Sequence, residues 1–553
     1  MKRILVVLLA LVIAGLSFAS GGQEGSGEGV RPTGGPLEKY DPPLTVSIWR
    51  SDSNRTFVEG QDIKDNIWTR AIQDELGIIF DYVWTAPNNE MNAKINTSLA
   101  AGDLPDIITK LNLEQYYNLA RVERLAPQTE LLNTYDVGDV RKYLDYGPGI
   151  TRQMLTIKDE IYGWGRGPAL ANVKIFTARN DWLQNLGKEM PETIDDIIDL
   201  LYAFSEDDPD GNGEDDTYGL AAAAGFLGGG MPLEVFFACY ESYPQLWVEE
   251  SGKLVFGSLT SQTKEALAVL KQLHADGVMS PEWPVLGTWS EGPDEIAQGK
   301  VGAAFGQQWW HNWGGVTQTI AGNVGMEWEH VLPRRSDGQY INVPVSAQVT
   351  DINAVNKDFA NPEVLVKLYN LNYRKTTDPE TADGDFHTIQ TDAGGVSAFF
   401  YWNDMFASHN IDINPILSLD VIEALKTKDT SRLNPEARGY YNGASTYLEG
   451  KAKLTGNDSG YGNYKSFGPG GTNALAWTMI NNNLAQVDAY QGTPTSAQAK
   501  YAGDLRSTRD ETFIQIIVGE RDLNEGWEEW LTYWDRNGGA EWAGEVNEWK
   551  SQQ

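Results

Sequence analysis

The chain has 553 residues, 43 of them basic and 77 acidic, for a net charge of −34, with 41% apolar content. That is too many core formers for a disordered acidic segment. The charge also excludes nucleic acid and anionic membrane surfaces as natural partners, because both are bound through Lys and Arg. A lone cysteine, Cys239, excludes an intrachain disulfide and a thiolate metal cluster, and reads as a small core residue.

In chain order, Lys2 and Arg3, the apolar run from Ile4 to Ala14 and the close on Ser17-Phe18-Ala19 predict an export signal over 1–19. The apolar run is shorter than the roughly 20 residues that cross a bilayer, so an anchor is the weaker reading. Residues 20–43 are rich in Gly, Ser, Glu and Pro and predict a flexible linker.

Leu44 to Trp49 alternates as a strand, Ile67, Trp68, Ala71, Ile72 and Leu76 recur at helical spacing, and Ile78 to Trp84 returns to strand. A helix from about Glu90 to Ala101 and a short strand at Ile107 to Thr109 complete an α/β unit. Ligands in open α/β sheets gather at the carboxyl ends of strands, which makes Trp49, Arg50, Trp84, Lys110 and Asn112 binding candidates. Packing against neighbouring helices is the alternative for each. A second unit is expected after Ile161 to Gly165, a stretch whose Trp164 is a further candidate. Its strand runs from Val173 to Ala178, and Thr193 caps a helix with Asp196 three residues on. Helices are predicted at Ser261 to Asp276, stopped by Gly277, and at Asn361 to Arg374, with Asn361 as N-cap and Pro362 in the first turn. Val301 to Phe305 reads as a buried strand. No detailed structure is assigned to 376–475.

Asp208-Pro209-Asp210-Gly211-Asn212-Gly213-Glu214-Asp215-Asp216 spaces oxygen ligands at alternate positions around a glycine turn, as the first two-thirds of a calcium loop does. Asp208, Asp210, Asn212, the Glu214 carbonyl and Asp216 would supply most of the six to eight oxygens Ca²⁺ takes. Gly219 stands at the twelfth position in place of a bidentate Glu, and a solvated acidic turn is the alternative. The five histidines, His274, His311, His330, His387 and His409, lack zinc spacing, and neither a G-x-S-x-G elbow nor a phosphate loop is present. A glycosidase carboxylate pair leaves no spacing to read and remains the enzymatic alternative. Gln307-Gln308-Trp309-Trp310-His311-Asn312-Trp313 follows a predicted buried strand. It sets amides beside flat aromatic faces, the two components of a sugar site; Gln308, Trp309 and Trp310 are therefore binding candidates, with interlobe packing as the alternative. Trp527, Trp530 and Trp534 share one helical face and read as core.

Several segments together resemble family 1 extracellular solute-binding proteins of ABC transporters, especially the LplA-like and alginate-oligosaccharide-binder-like subgroup. They are Ala100 to Ile107, Ala178 to Leu183 with Pro191 to Thr193, the calcium-type loop running on to Gly219, Ile296 to Gly302, Phe513 to Gly519, and Trp534 to Trp549. The resemblance implies an α/β, two-lobed periplasmic-binding-protein fold with a hinge and an interlobe ligand cleft, lobe 1 comprising 44–170 and 300–355 and lobe 2 comprising 171–299 and 356–553. It implies that Trp49, Lys110, Asn112, Gln308 and Trp309 line that cleft, and that Asp208, Asp210, Asn212, Glu214 and Asp216 hold a structural Ca²⁺, although Thr217 replaces an acidic residue there. Many relatives carry a lipobox cysteine at signal cleavage, where this chain has Ser20, so a lipid anchor is not expected.

The expected function is a monomeric, non-enzymatic protein exported to the periplasm or the outer face of the cytoplasmic membrane. It would capture a carbohydrate, an oligosaccharide in particular, for the permease subunits of an ABC importer. The alternatives are a secreted carbohydrate-active hydrolase, or a binding protein for a peptide or other polar solute.

Overall fold

A computed structural model describes residues 34–552 apart from 54, 147–148, 168–172, 288–290, 314–325, 346–348, 379, 392–393, 408–412 and 451–459. The predicted export signal and the linker up to residue 33 lie outside the described residues.

Two sheets organise the chain. In the first, the strands Leu44–Ser51 and Ile78–Ala86 run parallel in register from Leu44 opposite Ile78, and Ile107–Leu111 pairs parallel on the other side of Leu44–Ser51. Thr350–Val355 then joins antiparallel to Ile107–Leu111, and Gly163–Arg166 closes the edge. The parallel core follows from the connecting helices. Asn66 caps the first of them by accepting from the Trp68 and Thr69 amides, and its turns bury Trp68, Ala71, Ile72 and Leu76. Gly77 ends this connection at φ 67°, where a Cβ would lie 2.3 Å from the Tyr40 carbonyl. Only glycine fits both constraints.

That carbonyl belongs to a segment expected to be part of the flexible linker, which the structure corrects for its last residues. Tyr40 is buried and donates to Glu363 Oε1 at 2.9 Å, while Lys367 Nζ donates to the Glu38 carbonyl and Asn370 to that of Pro36. An aromatic ring with its hydroxyl and two backbone anchors outweigh the polar composition that surrounds them.

The second sheet is ordered Trp328–Val331, Lys174–Arg179, Val301–Gln307, Tyr218–Leu220, antiparallel except for the last pair. Beside it Thr193 and Asp196 form the predicted capping box of the helix Ile194–Glu206. The helices Ser261–Ala275, Ser496–Ile517, Leu523–Arg536 and Gly539–Ser551 cover this sheet's core, with Trp527, Trp530 and Trp534 inside it.

The chain is divided differently from the expected boundaries. Val301–Gln307 and Trp328–Val331 belong to the second sheet, and of 300–355 only Thr350–Val355 enters the first. The helices Val364–Thr376 and Phe399–Met405, expected with lobe 2, pack into the first core. The reason is crossover: each sheet recruits strands by register and burial, and the chain passes between them more than once. Glu363, not Asn361, is the N-cap of Val364–Thr376, and Asn361 contributes its carbonyl to the Val364 amide.

Residues 376–475, unassigned from sequence, are largely helical. Ile413–Thr427, Pro435–Leu448 and Gly460–Phe467 build a small core of their own around Leu417, Val421, Tyr440 and Phe467, and Tyr461 ties it to the second sheet by donating to the Trp328 carbonyl at 3.1 Å.

Candidate functional site

A cleft of about 1290 Å³ opens between the carboxyl ends of the first sheet's parallel strands and the helices after residue 399. Lys110, Arg166 and Asp351 line it from the first sheet, and Asn88, Asn92 and Asn112 from the helices that follow its strands. Phe400, Asn403 and Asp404 line it from the helix Phe399–Met405, and Asn414, Glu436 and Tyr440 from the two helices beyond. Six asparagine amides share this lining with seven charged side chains, Asp139 among them, and with the hydroxyls of Thr350, Thr376, Thr377 and Thr388. Each amide offers both donors and an acceptor.

Local structure positions these groups. Asn112 caps the helix Leu113–Arg121 in a capping box with Gln115, while its own amide donates to Asn92 Oδ1 at 3.2 Å. Gln115 also donates to Asn92 and Asn96, so the wall of asparagines is held from behind. Arg55 donates to both carboxylate oxygens of Asp404 at 3.0 and 3.2 Å, and its guanidinium lies 4.4 Å from the centre of the Phe400 ring. Phe400 is 42% exposed, a flat apolar face turned out among polar groups. On the opposite wall Tyr440 donates to Glu436 Oε1 at 2.8 Å, and His387 Nε2 stands 3.6 Å from the same oxygen.

Lys110 faces Asp351 at 4.0 Å, with Arg166 3.8 Å from the other Asp351 oxygen. Burial pushes the Lys110 ammonium below its ordinary range; Asp351 and Asp404 oppose that shift, and Arg166 and Arg50 add to it.

The sequence candidates divide into two groups. Lys110 and Asn112 are on the cleft wall. Trp49, Trp164 and Trp310 are packing side chains, which corrects their reading as ligand contacts. Trp49 is fully buried because its strand is interior to the sheet and covered on both faces; its indole donates to the Thr109 carbonyl at 2.7 Å. Trp164 alternates with Gly163 and Gly165, where a Cβ would meet the carbonyls of Asn353 and Thr350, so the strands close up and the indole points into the core against Tyr369. Trp310 folds under Gly306 into a cluster with Trp328 and Tyr461. Trp84, half-buried, stacks on Trp49 and donates to Ser98 Oγ, and Trp309, also half-buried, packs beside the Trp310 cluster. Gln308 is buried, its carbonyl accepting from Thr472 Oγ1 at 2.5 Å. None of Trp84, Gln308 and Trp309 is among the residues lining the cleft. Sequence reasoning missed Arg55, Phe400 and Asp404. The signal was there in Phe399-Phe400-Tyr401-Trp402-Asn403, an aromatic run closing on an amide.

In the calcium-type loop, Asp208, Gly211 and Gly213 all take left-handed backbone. The Asn212 amide donates to Asp210 Oδ2 and Asp216 Oδ1, both at 3.1 Å, and Asp208 accepts from the Asn212 and Gly213 amides. Among the described residues no three carboxylate or imidazole groups form a closed metal cluster. The loop's hydrogen bonds bring the side chains of Asp208, Asp210, Asn212 and Asp216 together, and carboxylate and amide oxygens are the hard donors Ca²⁺ takes. A cation there would supply countercharge, and burial beside Asp208 and Asp216 raises the Asp210 carboxyl.

A family described as bacterial extracellular solute-binding protein matches residues 82–356 of this chain. The polygalacturonan/rhamnogalacturonan-binding protein YtcQ of Bacillus subtilis is 27% identical over 315 residues, 55% of this chain and 57% of that protein. The fructooligosaccharide ABC transporter substrate-binding protein FusA of Streptococcus pneumoniae is 28% identical over 235 residues, 40% of this chain and 43% of that one. The chain thus spans about half the length of the curated relatives it matches. The FusA structure in complex with kestose aligns at a TM-score of 0.59 and 19% identity, covering 92% of this chain and 99% of that one. The alginate-binding protein AlgQ2 without calcium ion aligns at 0.58 and 15% identity, covering 94% and 100%. These superpositions establish the two-lobed solute-binding fold expected from the sequence. The family and these relatives are binding proteins, not enzymes.

Proposed function

We propose that the chain is the exported substrate-binding component of an ABC importer and captures an oligosaccharide in the 1290 Å³ cleft for delivery to a permease. The observation that carries this reading is the pairing of an exposed Phe400 face with a wall of asparagine amides and threonine hydroxyls. A sugar ring presents C–H faces that an aromatic covers and hydroxyls that amides bind in both senses. The polysaccharide and oligosaccharide ligands in the names of YtcQ and FusA support the same class. A peptide would instead leave its backbone N–H and C=O groups against side chains that do not offer a strand edge. We further propose that the loop from Asp208 to Asp216 holds one structural Ca²⁺.

Thermal shift against oligosaccharides and peptides tests the function. A ligand at 100 times its dissociation constant stabilises the protein by about 2.7 kcal/mol. Stabilisation by at least one oligosaccharide, without new reducing ends on incubation, is the expected result. Stabilisation by peptides alone, or release of reducing ends, overturns it.

A further inference from the structure

Two backbone amides decide which way the asparagines of the cleft wall face. The Asn112 N–H donates to Gln115 Oε1 at 2.9 Å, and the Gln115 N–H donates to Asn112 Oδ1 at 2.8 Å. A backbone N–H can only donate, so both side-chain amides must turn their oxygens to this cap. The Gln115 nitrogen is thereby aimed at Asn92 Oδ1 and Asn96 Oδ1, at 2.9 and 2.7 Å, and the Asn112 nitrogen at Asn92 Oδ1, at 3.2 Å. Two donors fill the lone pairs of the Asn92 oxygen and leave its nitrogen turned away from the cluster. Asn92 and Asn112 line the cleft, and Gln115 sits behind them, 5% exposed. Among the described residues no acceptor meets the Asn92 nitrogen. Toward the cleft these two side chains present N–H groups.

We propose that Gln115 is a positioning residue that sets specificity: by locking Asn92 and Asn112 as donors, it makes this wall read sugar oxygens through their lone pairs, whether those oxygens belong to hydroxyls, rings or glycosidic links. The inference rests on the oligosaccharide reading above and narrows it, since an amide free to rotate accepts from a hydroxyl as readily as it donates to one. Gln115→Glu isolates the effect. The carboxylate keeps the acceptor for the Asn112 amide, and glutamate serves as well as glutamine at this position of a capping box. It has no N–H for Asn92 and Asn96. A charged acceptor outcompetes the Asn112 amide for the Asn92 nitrogen, so Asn92 turns over and shows its oxygen to the cleft.

Calorimetric titration of the full chain with maltotriose, cellotriose, kestose and trigalacturonate, followed by the monodeoxy and mono-O-methyl derivatives of the tightest binder, tests this. Deoxygenation removes a hydroxyl's donor and acceptor together, whereas O-methylation removes only the donor. In the wild type at least one hydroxyl should cost roughly 3- to 10-fold in affinity on deoxygenation, the range for one neutral hydrogen bond, and less than about 2-fold on O-methylation. In Gln115→Glu the same O-methyl derivative should lose as much as the deoxy sugar, with the ligand-free melting temperature held. Asn92→Asp, at an exposed helical position, keeps one oxygen for Gln115 and Asn112 and turns a second toward the cleft. It should give the same reversal even where Gln115→Glu does not fold. A wild type in which O-methylation costs as much as deoxygenation at every hydroxyl overturns the donor wall, and a pattern unchanged in both variants overturns the role of Gln115; either leaves the oligosaccharide reading intact. Failure of all the parent sugars to bind overturns that reading itself.

Discussion

Arg55 and Asp404 lie 349 residues apart and meet in a two-pronged ion pair, with Arg55 Nε 3.0 Å from one carboxylate oxygen and Nη2 3.2 Å from the other. The pair fixes the guanidinium 4.4 Å from the Phe400 ring and so sets the tilt of the cleft's exposed aromatic face. Phe400 covers little of the core. Phe400→Ala should weaken oligosaccharide binding by about 1–2 kcal/mol through lost stacking, and leave stability within about 0.5 kcal/mol of wild type, as for other surface substitutions. Titration and a melting curve on the same variant check both halves.

Trp49 behaves in the opposite way. Its ring stacks on Trp84 with centroids 4.9 Å apart and planes 20° apart, and it is sealed beneath the sheet. Trp49→Ala should cost about 3–5 kcal/mol of stability. Affinity measured below the lowered melting temperature should change little. A large loss of affinity with an unchanged melting curve would return Trp49 to the ligand site.

These two residues show where the sequence was legible. Strand Leu44–Ser51, its partner Ile78–Ala86 and the Thr193 cap announce themselves through local alternation and local hydrogen-bonding chemistry. Whether a tryptophan at a strand end faces a ligand depends on what packs against it, and Trp49 meets the Trp84 ring and the Thr109 carbonyl from the two neighbouring strands. The Arg55 and Asp404 pairing has no local pattern at all. The pair Gly163 and Gly165 did carry information, since alternating glycines mark a strand pressed against its neighbour with the intervening side chain turned inward. The helices Ile413–Thr427 and Pro435–Leu448 were hidden because their apolar residues serve a small separate core, while Asn414, Glu436 and Tyr440 line the cleft.

For the loop from Asp208 to Asp216, calcium added to chelator-treated protein should raise the melting temperature with a stoichiometry of about one, because a ligand of the folded state stabilises it by mass action. Asp210→Ala should abolish the response and leave the calcium-free melting temperature near that of wild type. An unchanged wild-type curve with and without chelator removes the proposal.

Asp488 accepts from the Trp247 and Tyr490 amides at 3.2 and 2.9 Å. The residue keeps some solvent-facing surface, but its surroundings are protein, and burial pushes its carboxyl up to about 7 against the pull of those two donors and of Arg506. A folded value raised above the ordinary 3.8 means the contribution to stability is complete below pH 3.8 and is lost as pH rises through about 7. Asp488→Asn keeps an acceptor for both amides without the charge. It should therefore stabilise the protein at pH 8 by an amount on the order of a few kcal/mol and by much less at pH 5. Equal effects at the two pH values would show that the carboxyl does not titrate in this window.

His311 carries the opposite sign. It is fully buried, neither ring nitrogen has a hydrogen-bond partner among the described residues, and its ring centre lies 5.0 Å from that of His330, whose Nε2 is engaged with the Gly470 carbonyl. Burial first, then the neighbouring His330 and Lys465, holds the His311 imidazole well below its ordinary 6.5; Glu329, the carboxylate nearby, is taken up by Lys465. With the folded value depressed, the neutral ring's contribution is present above pH 6.5 and is lost as pH falls below it, because only the unfolded chain accepts the proton readily. His311→Phe fills the same space without a titrating group or unpartnered nitrogens. Relative to wild type it should gain stability progressively from pH 6.5 downward, by at least about 1 kcal/mol at pH 5, while the difference stays constant between pH 7 and 8. Denaturant melts of the two proteins across that range read the slope directly. If the difference is flat from pH 8 to pH 5, His311 is not the group whose protonation unfolds this junction between the second sheet and the helix Gly460–Phe467.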